Sequence, residues 1–176
     1  MSESDDFPVF EDVDPSGGAT PTNLREAVAF DKAPAVHDFI AGGADVENPD
    51  GEGSTVLMLA AQLGRDTITA MLIEAGCDIN ARNANGWTPL MFAAQAGHLD
   101  VIALLLIHGA EVNAVNSEGG HALLYAAAGG YVDVASQLLD YGADISLPDK
   151  NGLLPLQAAK NGSHSDVIAL LTAAGA

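Results

Sequence analysis

The glycines of this chain keep a fixed interval, and that interval limits the possible folds more than any other feature. Gly43, Gly76, Gly109, Gly142 and Gly175 recur at one unvarying step. A small residue and an acid follow four of them, as Ala44-Asp45, Cys77-Asp78, Ala110-Glu111 and Ala143-Asp144. A second register repeats with the same step: Gly53, Gly86, Gly119 and Gly152 each stand one helical turn ahead of Leu57, Leu90, Leu123 and Leu156, and Leu24 extends the leucine series backwards. Five units follow, at approximately 20–48, 49–81, 82–114, 115–147 and 148–176, and positions 1–19 fall outside them. Self-similarity at this spacing marks an architecture of stacked supersecondary units, each too small to bury its own apolar side.

The third unit shows what one repeat folds into. Thr88 is a good N-cap, and Pro89 suits the first helical position, where no N–H is needed. Leu90, Ala93 and Ala94 form one narrow face of a first helix that Gly97 stops. A second helix over His98 to Ile107 puts Val101, Leu104 and Leu105 on one side, with Asp100 in its first turn, where the helix dipole favours an anion. Gly109 ends that helix, and the polar stretch from Asn113 to Glu118 predicts a hairpin-like turn into the next unit. The fold class is therefore all-α, a solenoid of stacked helix-turn-helix units joined by hairpin loops.

These residues carry a resemblance. The stretch Gly86 to Ala114, with its Thr-Pro-Leu start, its Ala-Ala-x-x-Gly-His centre and its Leu-Leu-Leu-x-x-Gly-Ala-Glu-Val-Asn-Ala close, resembles the ankyrin repeat. The resemblance covers about nine-tenths of the chain. It implies an ankyrin-type solenoid with a concave face built from hairpin tips and first helices, serving to hold, mask or localise another protein. The sequence departs from the pattern in two ways. The histidine expected after Pro-Leu is Met58, Met91, Leu124 and Gln157, which predicts missing loop-bracing hydrogen bonds. The fourth unit reads Gly120-His121-Ala122-Leu123 in place of Thr-Pro-Leu, which predicts a less firmly capped helix. The end units carry polar residues as caps require: Arg25 and Glu26 in the first, Lys160 and Thr172 in the last. A monomer is expected; because Asp166 to Leu171 copies an internal helix, an end-to-end dimer is the alternative.

Charge narrows the partners. Among 176 residues there are 24 acids and 6 bases, giving a formal net charge of -18, and no Lys or Arg lies between Arg82 and Lys150. Direct binding to nucleic acid or to an anionic membrane needs the opposite charge. The opening MSESDDFPVF has neither the basic nor the apolar region of a secretory signal, no apolar run reaches membrane-spanning length, and a cytoplasmic location is the expectation. Chemistry has no foothold: the five histidines are scattered, Cys77 occupies a small-residue position, and no catalytic, cofactor-binding or metal-ligating set emerges. No enzyme activity and no cofactor are expected.

The expected function is therefore specific binding of one protein partner, of basic character if the acidic field steers it. The candidate surface centres on Trp87, placed at a hairpin tip with no evident core to fill, and extends through Leu63, Leu153 and Tyr125. Tyr125 shares with Phe92 a repeat position that reads as half core. Glu52, Ser54, Asn85, Gln95, Glu118 and Lys150 supply a polar rim. The rival expectation is a polyanion mimic that blocks a basic or nucleic-acid-binding protein by charge alone. In the tail, the acids Glu3, Asp5, Asp6, Glu11, Asp12 and Asp14 are interleaved with Phe7, Val9, Phe10 and Val13, a composition typical of disordered docking segments. Phe7 and Phe10 are its candidate contacts.

Overall fold

A computed structural model describes residues 20–175, so the tail with Phe7 and Phe10 lies outside the described residues. Five helix pairs follow in order. They are α1 (Leu24–Ala29) with α2 (Ala33–Ala41), α3 (Val56–Gln62) with α4 (Asp66–Glu74), α5 (Pro89–Ala96) with α6 (Leu99–Ile107), α7 (Ala122–Gly129) with α8 (Val132–Asp140), and α9 (Pro155–Asn161) with α10 (Ser165–Ala173). Each first helix packs on the next, α1 on α3 and so on to α9, while α2, α4, α6, α8 and α10 form a second layer. The core is the seam between these layers, and it runs the length of the stack.

Local chemistry starts most of the first helices. Thr55 and Thr88 hydroxyls accept from the amides of Met58 and Met91. Asn23 caps α1 by accepting from Glu26 N, and the Glu26 carboxylate reaches back to Thr22 N at 2.7 Å. Gly97 closes α5 in the left-handed conformation expected of a helix stop. Asp66, Asp100, Asp133 and Asp166 sit in the first turns of α4, α6, α8 and α10. The fourth unit differs as its sequence predicts, because His121 gives α7 no side-chain cap. Its ring is instead buried, 1% exposed, with Nε2 3.0 Å from the Leu147 carbonyl of the loop into the fifth unit.

Two expectations about packing are corrected. The buried side of α5 is not a narrow Leu-Ala-Ala face, since every residue from Pro89 to Ala94 is buried. The helix has α3 and α7 on its flanks and α6 behind it, so only its C-terminal end meets water. The buried stripe of α6 is Val101, Ile102, Leu105 and Leu106, with Leu104 only partly covered. A helix that touches its own partner and the second helices on both sides needs this wider stripe.

The repeats are also tied by hydrogen bonds. His98 Nε2 lies 3.1 Å from Gln62 O and His164 Nε2 2.9 Å from Ala128 O, each bond crossing to the preceding unit. Arg65, at the same repeat position, donates to Ala29 O. At the C-terminal end Gln157, Lys160 and Thr172 are exposed where Met91, Ala94 and Leu106 are buried internally. No helix among the described residues is long and apolar enough to cross a membrane.

Candidate partner-binding surface

The loops between helix pairs form a row of fingers, and the sequence specifies them more fully than the glycines alone indicate. Asp50, Asn83, Asn116 and Asp149 recur in step with the turn glycines, each just ahead of its own. Each side-chain oxygen accepts two amides of its own turn: Glu52 and Ser54, Asn85 and Trp87, Glu118 and Gly120, Asn151 and Leu153. The loop bracing predicted to be missing is thus supplied from within the loop. In the fifth unit Gln157 adds a further bond, from Leu154 N. Neighbouring fingers are stitched by one backbone bond each, Ala84 N to Glu52 O, Ser117 N to Asn85 O and Lys150 N to Glu118 O, all 2.9 Å.

That ladder fixes the predicted polar rim. Glu52, Asn85, Glu118 and Lys150 have their main chains engaged between fingers and their side chains exposed. Gln95, near the end of α5, is exposed as well. Ser54 is half-buried and is part of the scaffold: Asn83 Nδ2 donates to its hydroxyl at 3.2 Å, and Arg25 donates to its carbonyl. Leu63 caps α3 and packs half-buried against the core, and Leu153 is half-buried beside the last finger.

Trp87 is not the unsupported tip residue the sequence predicts. It closes the turn, its carbonyl accepting from Asn83 N at 3.1 Å, and its indole is half-buried. The ring stacks on Tyr125 of the next unit at 4.6 Å and 20°, and meets Phe92 in a tilted contact at 5.0 Å and 34°. Phe92 is buried and Tyr125 half-buried, in keeping with the half-core reading of that position. The fourth unit leaves room for this arrangement. Gly120 stands where Trp87 stands in the third, and a Cβ there would lie 2.1 Å from the Tyr125 hydroxyl.

Tyr125 is held at both ends. Because Asn116 Oδ1 accepts from Glu118 N and Gly120 N, its amide is oriented so that Nδ2 donates to the tyrosine oxygen at 2.7 Å. The hydroxyl proton has no acceptor among the described residues. Burial raises the Tyr125 pKa, the hydrogen bond from Asn116 opposes that rise, and the Asp149 and Glu118 carboxylates add to it. The predicted residues do not converge into a pocket. Trp87 and Tyr125 stack between the third and fourth units, with the Glu118 amide on the Asn116 side chain that also bonds Tyr125. Glu52 and Leu63 lie toward one end of the row and Lys150 and Leu153 toward the other.

Elsewhere the acids are widely spread. Exposed Asp66, Glu74, Asp100, Asp133 and Asp140 lie on the second helices, and exposed Asp45, Glu47, Asp78, Glu111 and Asp144 lie in the loops between helix pairs. All three arginines brace neighbouring units, through Arg25 to Ser54 O, Arg65 to Ala29 O and Arg82 to Val115 O. A groove of about 430 Å³ at the first unit, lined by Thr22, Arg25, Phe39 and Pro49 among others, contains none of the predicted contact residues.

Comparison with curated proteins gives no match. The family model described as ankyrin repeats in three copies matches residues 24–116 and, overlapping, residues 110–176. Five stacked helix pairs, a finger ladder and this match together establish that the chain belongs to the ankyrin-repeat family, whose repeats are protein–protein interaction modules.

Proposed function

We propose that the chain binds one partner protein across its fingers and first helices and masks the surface it covers, as an inhibitor, an immunity protein or a regulatory subunit would. The observation that carries this reading is the aromatic corner of Trp87 and Tyr125. A tryptophan held against two rings and still partly exposed is costly to maintain at a surface. It offers a partner a rigid apolar anchor with little conformational entropy left to lose. Exposed Asn85 and Glu118 in the adjoining fingers, with Glu52, Lys150 and Gln95 farther along the face, match the polar rim of a specific interface. Exposed acids occur on the second helices as well as in the loops, whereas a polyanion mimic would concentrate its charge on the binding face alone.

The test is capture from source-cell lysate by immobilised full-length protein, with washes at about 0.15 M and 1 M salt, where the screening lengths are about 8 and 3 Å. The expected result is one protein retained through both washes, whose own activity falls in proportion to the chain added. Release of many basic proteins by the high-salt wash, with none left bound, would overturn the reading.

A further inference from the structure

The aromatic corner also indicates the chemistry of the contact, an inference that rests on the protein-binding reading above. Three observations converge there. Trp87 and Tyr125 are stacked and each keeps part of its surface exposed. Glu118 is exposed, its amide sits on the Asn116 side chain that also bonds Tyr125, and no ion pair among the described residues involves Glu118, Asp149 or Lys150. The Tyr125 hydroxyl accepts from Asn116, and its own proton has no acceptor among the described residues.

An aromatic surface with an exposed carboxylate, Glu118, in the adjoining turn is complementary to a cation on a flat or slender apolar stem. A guanidinium or ammonium group within about 6 Å of an indole or phenol centroid is attracted by the ring quadrupole, and the carboxylate adds its charge. Arginine fits better than lysine, because its planar group stacks on the ring while its N–H fork faces the acid. The protein has no arginine of its own to place there, since Arg25, Arg65 and Arg82 are each bonded to the backbone of a neighbouring unit. We propose that the corner of Trp87, Tyr125 and Glu118 receives an arginine side chain of the partner protein, with the Tyr125 O–H donating to a partner carbonyl beside it.

The single tryptophan of the chain makes the site its own reporter. Titration of the full-length protein with a hexa-arginine peptide at about 0.15 M salt, followed by Trp87 fluorescence, tests the proposal. The expected result is a saturable change in emission. Glu118→Gln should weaken binding about fivefold, whereas Glu74→Gln, the same loss of charge on α4, should change it less than about twofold. Equal weakening by both variants, or no saturable change in Trp87 emission, would overturn it. Capture of a protein partner through the finger face despite such a failure would leave the module reading standing and remove only the arginine contact.

Discussion

Replacing Trp87 by alanine separates support of the fold from contact with a partner. A tryptophan buries about 150–250 Å² when fully covered. The half-buried ring here covers about 100–150 Å², worth about 2.5–4 kcal/mol at about 25 cal/mol per Å². Alanine keeps a little of that area, so Trp87→Ala should cost about 2–3 kcal/mol of unfolding free energy. The stack on Tyr125 should contribute about 0.5–1.5 kcal/mol of this as a pairwise coupling. The assay is urea unfolding followed by circular dichroism for Trp87→Ala, Tyr125→Ala and the double variant. A loss below about 0.5 kcal/mol with no coupling would refute the packing argument and return Trp87 to a free surface residue. A loss of the predicted size means that binding experiments with Trp87→Ala need a folded-fraction control.

Three further outcomes follow from the geometry. Burial lowers the His121 pKa, so the folded state prefers the neutral ring, and stability should fall as pH drops through the unfolded value near 6.5. Urea midpoints between pH 7.5 and 5 should show a smaller acid loss in His121→Asn than in wild type, and equal losses would contradict the assignment. The Cys77 thiol is pushed up to about 12 by burial and the Glu47 carboxylate, so alkylation at pH 8 should be slower than in urea by on the order of a hundredfold or more. Equal alkylation rates with and without urea would show that the thiol is open. Gly119→Ala should cost about 2–4 kcal/mol, because φ is +77° and a Cβ would lie 2.8 Å from Lys150 N in the finger ladder. A thermal scan within a degree of wild type would refute that ladder.

Much of this fold is legible in sequence because it is periodic. Thr88, Pro89 and Gly97 mark the ends of α5 by local chemistry, and the glycine registers place the units before any contact is known. What escaped was set by neighbours in space. Trp87 reads as unsupported because the ring it stacks on, Tyr125, belongs to the next unit, beyond the whole of α5 and α6 in the chain, while Phe92 of its own unit adds a tilted contact. The buried stripe of α6 is wider than its own spacing indicates, because α4 and α8 flank it. The braces at Asp50, Asn83, Asn116 and Asp149 were visible as a further register with the same step as the glycines. Asp and Asn are so common in turns that this register does not announce its role. The candidate surface was only partly legible. Glu52, Asn85, Gln95, Glu118 and Lys150 are exposed as a rim requires, whereas Ser54 and Leu63 serve the scaffold.

The central claim is that the fingers and first helices form the binding face, and one comparison of affinities tests it. Asn85→Arg and Gln95→Arg change exposed side chains on that face, and Asp133→Arg makes a larger charge change on α8. With the captured partner purified, calorimetry on the four proteins should show Asn85→Arg and Gln95→Arg weakened at least about tenfold and Asp133→Arg close to wild type. If Asp133→Arg weakens binding most and the other two leave it unchanged, the partner sits on the second helices and the account is wrong.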